Sequence, residues 1–329
     1  MFERKTFEVG QEQNKMRLDD FLFEKIPALS RMYLRELIKT ERCEVNGAFE
    51  NAGHKLRRKD FIEVEFDASR GTAMRPENIP LDIIYEDSAI VVVNKPAGML
   101  VHPTHRDKNG TLLNALTFYL NQESSSQICK DTAKMGEGRN GVQSEIQNPK
   151  SKIVRAGLVH RLDRQTSGLM VVAKTVPVHR VLAEHFKRKL VEKRYIALVD
   201  GTIKQDEGFI EAPIGRYADL KLWNVKHDGK HAKTRFLVRQ RNADTTLTEL
   251  EPITGRTNQL RIHCASIGHP IVGDVGRGGS PFQRLCLHAY KLSFKHPLSS
   301  EVLAFEIQIP PEFMQNEQTE NSLTDLSPK

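Results

Sequence analysis

The segment His160-Arg-Leu-Asp-Arg-Gln-Thr-Ser-Gly-Leu169 reads HRLDRQTSGL in one-letter code. One carboxylate, Asp163, lies between Arg161 and Arg164. A polar turn follows, and then the apolar run Leu169–Ala173. A short apolar run after turn residues is typical of a buried strand. We therefore predict that Asp163 lies at the mouth of a loop that enters the core.

A carboxylate in such a place resists ionisation unless a cation lies near it, and the planar fork of arginine is its best partner. A single ionised acid in a dry pocket can act as a nucleophile or as a base. The same letters also fit an aspartate that only caps the turn, which is the usual role of an isolated D-x-x-T-S-G. The stretch by itself leaves both roles open.

The length, composition and net charge of the chain limit the kinds of protein it can be. Its 329 residues suggest about two domains. The hydrophobic fraction of 39% is enough for a real core, and the formal net charge of +7 favours a polyanionic partner such as nucleic acid, although solubility alone also explains it. The sequence has neither a signal-peptide pattern nor the apolar run of about 20 residues that a membrane span needs. We expect a cytoplasmic protein without membrane association.

The spacing of the cysteines does not indicate a disulfide framework. They are scattered and make no C-x-x-C pair: Cys43, Cys129, Cys264 and Cys286. Neither disulfides nor a zinc site is expected from this spacing, and we predict no metal.

Residues 17–66 predict two helices followed by short strands. Apolar residues recur at helical spacing from Leu18 to Ile26, and Ser30 is a suitable N-cap for a second helix, Arg31–Glu41. Four basic residues at i, i+4, i+8 and i+11 would share one face of that helix: Arg31, Arg35, Lys39 and Arg42. A basic helical face is most often just solvated.

The chain after residue 80 alternates many predicted strands with a few helices, which indicates a mixed α+β domain. The composition predicts this division: an N-terminal extension at 1–15, a small domain at 16–66, a linker at 67–80, a large domain at 81–312 with a flexible insertion at 121–152, and a disordered tail at 313–329.

Ordered motifs in the large domain closely resemble those of the RluA-type family of RNA pseudouridine synthases. The resemblance spans residues 83–309, and one position departs from it, because Asn258 stands where the family commonly has histidine. The matching segments are Val93–Gly98 with Val101–Pro103, His160–Thr175, Glu192–Ala197, Thr254–His263 with Gly268–Pro270 and Gly273–Asp274, and Leu287–Ala289. The resemblance implies a pseudouridine synthase fold with a mixed, largely antiparallel central sheet.

The small domain resembles the S4-like RNA-binding domain through R-L-D-x-F-L, S-R, V-N-G and L-x-x-x-D in order. That likeness implies that the face formed by Arg31, Arg35, Lys39 and Arg42 grips a phosphate backbone. Phosphate contacts position a protein on RNA without reading its bases.

The family resemblance also implies roles in the large domain. Asp163 aligns with the catalytic aspartate, Tyr195 with the tyrosine on the uracil face, and Arg261 with the arginine that pairs with the aspartate. Arg161 resembles the residue that enters the gap left by the flipped base. Two apolar residues after the turn are candidates for closing the pocket: Leu169 and Val171. Without the family, Tyr195 would be a core residue and Arg261 a surface arginine.

The implied reaction breaks the glycosidic bond of a uridine, turns the uracil and joins its carbon five to the same ribose carbon. It is an isomerisation, so we expect no cofactor. The combination of domains most resembles enzymes of large-subunit ribosomal RNA, with transfer RNA as the alternative, and we expect a monomer. A catalytically inactive RNA-binding protein would have lost Asp163, Tyr195 or Arg261, and a hydrolase usually needs paired carboxylates or metals.

Overall fold

The computed structural model describes residues 2–26, 29–67, 75–104, 106–133, 156–220 and 222–314. The chain forms two compact units, Met1–Ile79 with His102–Arg155, and Pro80–Val101 with Ala156–Lys329. Residues 102–133 were predicted to belong to the large domain, whereas the structure groups them with the N-terminal residues. Hydrogen bonds account for this: the Asn114 amide donates to the Arg75 carbonyl at 2.8 Å, and the Gly110 N–H donates to Glu77 at 2.9 Å.

The first unit contains an antiparallel four-stranded sheet in the order β1-β4-β2-β3, with an apolar core supplied by the sheet and two helices. Its elements are β1 (Phe2–Glu8), α1 (Leu18–Lys25), α2 (Arg31–Lys39), β2 (Cys43–Val45), β3 (Ala48–Phe49), β4 (Phe61–Asp67) and α3 (Leu112–Ala133). The N-cap prediction is confirmed, because the Ser30 hydroxyl accepts a hydrogen bond from the Tyr33 N–H at 3.1 Å.

Two predictions for this unit need correction. Residues 1–15 are not a mere extension, since β1 pairs with β4 from Phe2↔Asp67 to Glu8↔Phe61 and thereby covers an otherwise open strand edge. The second helix ends at Lys39 rather than Glu41, and the Thr40 hydroxyl bonds back to the Glu36 carbonyl at 2.8 Å. Arg42 therefore lies beyond the helix and does not share its face.

The second unit is built on a ten-stranded sheet with the path β10-β13-β14-β9-β15-β8-β6-β5, to which β16 and β7 pair at β15 and β8. Its strands are β5 (Ile83–Glu86), β6 (Ile90–Lys95), β7 (Gly157–Leu158), β8 (Ser167–Ala173), β9 (Glu192–Asp200), β10 (Glu207–Glu211), β11 (Ile214–Tyr217), β12 (Leu222–Val225), β13 (Lys233–Arg241), β14 (Thr245–Pro252), β15 (Leu287–Lys295) and β16 (Val302–Glu306). Its helices are α4 (Val176–Lys187), α5 (Gln259–Ser266) and the short 3-10 helices Val275–Arg277 and Pro311–Phe313.

Within the described residues, the strands of this sheet pair antiparallel except for β15 with β8. The predicted α+β class with a mixed, largely antiparallel sheet is therefore confirmed. The pair β11 and β12 forms a separate two-stranded ribbon. None of the described helices combines the length and the apolarity that crossing a membrane requires.

Strand β8 fixes where the HRLD loop enters the core. All seven of its residues are buried, as the apolar run predicts. Gly168 has φ +117, and a Cβ atom there would collide with the backbone of Ala289 on β15. Only glycine fits this close approach of two strands. The glycine of the T-S-G sequence thus allows β8 to lie against β15. The HRLD residues that precede β8 then line a cavity together with residues of β9 and β15.

Two boundaries differ from the predicted ones. Helix α3 continues to Ala133, so the first part of the predicted insertion at 121–152 is helical. The remainder, 134–152, lies outside the described residues. At the other end Phe313 is buried in its 3-10 helix, while 315–329 of the predicted tail lie outside the described residues.

Candidate active site

A cavity of about 650 Å³ opens where the HRLD loop, β9 and α5 of the second unit come together. The loop after β14 and the end of α4 complete its wall. The predicted polar residues that line it are Arg161, Asp163, Tyr195 and Arg261. Residues far apart in the sequence are thus brought to one place.

Asp163 lies in the turn before β8, where its carbonyl accepts a hydrogen bond from the Thr166 N–H at 3.1 Å. Burial raises the pKa of its carboxyl, although Arg261 first and then Arg161 and other cations act to lower it. Within the described part of the chain, no ion pair or side-chain hydrogen bond holds this carboxylate. The positive charges of the surrounding arginines and of Lys95 favour its ionised form through space and not through a direct contact.

Tyr195 lies on β9 and is 9% exposed. Burial, and then the nearby charge of Asp163, raise the pKa of its phenol, so the group stays neutral at neutral pH. A neutral phenol offers a flat ring face and a hydroxyl that can donate or accept a proton.

Arg261 has a different partner from the predicted one. Its Nε and Nη2 donate to the two carboxylate oxygens of Asp274, both at 2.7 Å, and Nη1 donates to Asn258 at 3.3 Å. Asp163 acts on it electrostatically only. The glycine before Asp274 explains the placement, because Gly273 has φ +83 and packs directly on the Arg284 backbone. The sequence pattern included Gly273–Asp274 but gave no sign of this pairing.

The family departure at Asn258 has a local reason. The residue precedes α5 with φ 55, a left-handed conformation that asparagine adopts more readily than most residues. Its side-chain oxygen accepts from Arg261, so it helps to orient that arginine.

Helix α5 is fastened to the sheet by buried polar residues of the same motif. The Gln259 amide donates to the Thr234 hydroxyl at 3.0 Å, and that hydroxyl also bonds His263 Nδ1 at 2.9 Å. His263 Nε2 bonds the Ala212 carbonyl at 3.1 Å. These residues are structural and set the position from which Arg261 reaches the cavity.

Two more motif residues support the HRLD loop. Lys95 is fully buried and donates to three carbonyls, those of Pro96 at 2.7 Å, Met99 at 2.9 Å and Arg164 at 3.2 Å. Burial lowers its pKa to about 8. His160 accepts a hydrogen bond from the Val171 N–H at 3.1 Å, and burial lowers its pKa to about 3, so it is neutral.

The pocket residues were placed on the wrong face by sequence reasoning. Leu169 and Val171 pack in the core cluster that includes Val178 and Leu182 of α4, and they do not line the cavity. Successive strand residues face opposite sides, which the apolar run of β8 hides because both sides are buried. Other apolar residues line the cavity: Leu162, Val191, Leu260 and Leu287.

Cations that the sequence analysis did not assign surround the cavity. They come from the end of α4, from β9 and from the loop before α5: Lys187, Lys189, Lys193 and Arg256. Arg161 is exposed beside them. Such a rim suits a polyanion.

The predicted basic face in the first unit is partly neutralised. Arg31 pairs with Asp20 at 2.5 Å, and Arg35 pairs with the buried Asp19 at 2.7 Å. Arg42 lies over the Phe2 ring at 4.6 Å. Lys39 is exposed at the end of α2. The four residues therefore differ in what they can offer to a ligand.

Comparison with known proteins identifies the fold and family. Residues 89–266 match the family model of RNA pseudouridylate synthases. An uncharacterized RNA pseudouridine synthase of Aquifex aeolicus is 38% identical, covering 94% of this chain and 95% of that protein. The ribosomal large subunit pseudouridine synthase D of Haemophilus influenzae is 32% identical, covering 94% and 92%.

A solved structure agrees in fold. Human RNA pseudouridylate synthase domain containing 1 superposes with a TM-score of 0.53 at 24% identity, covering 71% of this chain and 85% of that one. The matching fold, the family model and relatives that align over nearly the whole length agree with the motifs that meet at the cavity. The chain therefore belongs to the RluA-type family of RNA pseudouridine synthases, isomerases that convert uridine in RNA into pseudouridine.

Proposed function

We propose that this synthase modifies specific uridines of large-subunit ribosomal RNA. Two relatives that carry that activity in their names support this: the proteins of Haemophilus influenzae and of Escherichia coli O157:H7 are 32% and 33% identical and align over 92% of their own lengths. Transfer RNA, the alternative substrate, is an outcome that the experiment below separates.

Asp163 is the catalytic carboxylate in this proposal. The observation that carries it is a lone acid in a cavity, opposed by burial and surrounded by cations that do not touch it. An ionised carboxylate without a closed ion pair is available to attack or to remove a proton. The proposal covers either route.

Tyr195 and Arg261 assist it. The neutral ring of Tyr195 provides a face for the detached uracil and a hydroxyl for proton transfer at carbon five. Arg261 holds a positive charge near Asp163 while that carboxylate reacts. The apolar lining, which includes Leu162 and Leu287, keeps the free base from leaving.

The target base must leave its stack before it reaches the cavity, which costs a few kcal/mol. Arg161 is exposed beside the opening and fills the vacated place. The cations along the rim bind the phosphates on either side of the flipped nucleotide.

The N-terminal residues 16–66 act as an S4-like RNA-binding domain in this proposal. Lys39 and Arg42 supply phosphate contacts most directly, since Arg31 and Arg35 already pair with carboxylates. The second unit, which contains residues 80–101 and 156–314, supplies the catalytic domain.

The experiment is to incubate the purified protein with unmodified ribosomal and transfer RNA and to map pseudouridine by carbodiimide-dependent primer extension. New stops in large-subunit ribosomal RNA with the unaltered protein, and none with Asp163→Asn, are expected. Stops only in transfer RNA would overturn the substrate. Equal stops with both proteins would overturn the role of Asp163.

A further inference from the structure

A second cavity of about 400 Å³ lies beside the active-site cavity in the second unit. Its walls are the β11–β12 ribbon, the turn at 226–230 and the loop before α5. Residues of that loop line both cavities: Gly255, Arg256 and Thr257. An RNA strand whose target base enters the first cavity can therefore place a neighbouring nucleotide in the second.

The walls of the second cavity are held together by the backbone. Ile214 of β11 and Lys230 of the turn exchange two backbone hydrogen bonds, both at 2.9 Å. A Cβ atom on Gly229 would come within 2.6 Å of the Ile214 carbonyl carbon, so the turn lies directly on the strand. The Arg256 Nε donates to the His231 carbonyl at 3.0 Å and ties the loop to the same turn. The cavity is thus preformed, as binding sites usually are.

Three cations that line this cavity are available to an anion. Arg216, Lys230 and Arg256 are exposed, and in the part of the chain that the structure describes they form no ion pair with a carboxylate. A fourth, Lys226, pairs with Asp228 at 3.0 Å. Basic residues of the nearby strand β13 are already paired: Lys233 with Glu211, Arg235 with Glu207, and Arg241 with Asp206. The available positive charge is therefore concentrated at the cavity.

The cavity also has an aromatic wall. Trp223 is the single tryptophan of the chain, and it lies on β12 opposite Arg216. It is half-buried, packs against the apolar cluster of Ile214, Ala232 and Ile262, and lines the cavity. An aromatic ring supported from behind provides a surface for an unpaired base, because every base has a π-face.

We infer that the second cavity is a subsite for a nucleotide next to the target uridine, whose base lies against Trp223 and whose phosphate is bound by Arg216, Lys230 and Arg256. Cations alone would fit any anion and an indole alone any apolar group, but the two together fit a nucleotide. The inference rests on the proposed use of the first cavity as the active site.

Such a subsite has a physical purpose. Flipping the target uridine also disturbs the stacking of its neighbours, which makes the step costly. A neighbouring nucleotide that is held outside the stack contributes binding energy away from the reacting atoms, and that energy offsets part of this cost. The subsite would also make affinity depend on whether the neighbouring nucleotide is unpaired.

The single tryptophan makes the test direct. The unaltered protein is titrated with an RNA fragment that carries a mapped uridine in a loop, and indole fluorescence is followed beside filter binding. We expect the fluorescence to fall with the same midpoint as binding, because a stacked base quenches the indole. Uridine monophosphate at the same concentrations is expected to have no effect, since it lacks the contacts of the strand.

Variants separate stacking from simple packing. Trp223→Leu is expected to raise KM for RNA about 10-fold with kcat within a few fold, whereas Trp223→Phe should recover most of the affinity. A purely structural role would instead tolerate leucine as well as phenylalanine. Arg216→Gln is expected to raise KM several-fold and to reduce the slope of log affinity against log salt by about one. Arg235→Gln, which loses an exposed pair with Glu207, is the control and should change neither.

Unchanged indole fluorescence at saturating RNA, or an unchanged KM in Trp223→Leu, would overturn the inference. Quenching by uridine monophosphate alone would assign the cavity to a free nucleotide and would also overturn it. Should Trp223→Leu fail to fold by thermal melting, Arg216→Gln decides, and an unmoved salt slope contradicts the subsite. Failure of the proposed active site shows separately, as activity retained by Asp163→Asn while RNA still quenches the indole.

Discussion

Asp163 lies where burial disfavours the charged form of its carboxyl group. Burial raises the pKa of the carboxyl, and the arginines around it act through space. A group whose pKa is higher in the folded than in the unfolded protein stabilises the fold at pH below its unfolded value, and that contribution is lost as the pH rises through the folded value. The ionised form of Asp163 therefore lowers the stability of the fold.

One prediction follows for stability. Asp163→Asn is expected to raise the thermal unfolding midpoint at pH 7, because it removes a partly buried charge without breaking an ion pair. Scanning calorimetry at pH 7 measures this directly. A lower midpoint would mean that the carboxylate makes a stabilising contact instead.

A second prediction concerns pH and rate. The role proposed for Asp163 requires its ionised form, so single-turnover rates are expected to fall as the pH drops through a value above the ordinary aspartate pKa of about 3.9. On the alkaline side, ionisation of Tyr195 is not expected to limit the rate up to about pH 10, since its pKa is raised above that ordinary value. A rate that stays level down to pH 4 would contradict the acid limb.

The motifs predicted that Asp163, Tyr195 and Arg161 lie at one site, and all three line the same cavity. This was predictable because each motif has a specific order of residues. It placed Leu169 and Val171 wrongly, since an all-apolar strand conceals which side faces the pocket. It could not find the bond from Arg261 to Asp274, because that pairing depends on a glycine turn and on side-chain geometry that no spacing encodes.

Strands β8 and β15 approach each other closely beside the site, at Gly168. Gly168→Ala is expected to lower the free energy of unfolding by about 3 kcal/mol, combining left-handed strain with overpacking against Ala289. Urea denaturation measures it. Gly268→Ala is the matched control, since Gly268 has φ +84 with open space around it, and about 1 kcal/mol is expected there.

The attachment of α5 gives a separate prediction. Thr234→Val removes the hydroxyl that serves both Gln259 and His263, and leaves buried polar atoms unsatisfied at a cost of about 2 to 3 kcal/mol. Because α5 carries Arg261, kcat is expected to fall several-fold as well. The exposed Thr202→Val should change neither unfolding nor rate, and an unaffected Thr234→Val would show that α5 is held otherwise.

Helices and strands with a clear apolar pattern were predictable from the sequence, and those without such a pattern were not. The apolar spacing of α1 and the continuous apolar run of β8 gave the correct element types. β1 was missed because FERKTFE lacks an alternation of apolar and polar residues and has no buried side. The ribbon of β11 and β12 was missed because its strands are four residues long, too short for a pattern.

For the whole molecule, the net charge of +7 conceals which cations are available. In the first unit, burial acts to raise the pKa of Asp19, but hydrogen bonds from Arg17 and Arg35 outweigh it and hold the pKa below its usual value. Arg35 thus stabilises the fold, whereas Lys39 is exposed at the end of α2.

The two residues are expected to separate stability from binding. Lys39→Gln should weaken RNA binding and reduce the slope of log affinity against log salt by about one, with unfolding unchanged. Arg35→Gln should lower the free energy of unfolding by about 1 kcal/mol, because the buried Asp19 loses a charged donor. Salt titrations and urea denaturation measure the two effects, and the reverse assignment would contradict the proposed use of this face.

The most direct test of the central claim is single-turnover conversion of a mapped uridine by the unaltered protein and by Asp163→Asn, with RNA affinity measured on the same samples. We predict a loss of at least about 1,000-fold in the rate at equal affinity, because our proposal assigns the chemistry to this carboxylate. A variant that binds equally and converts at a similar rate would show that the reaction depends on another group in the cavity.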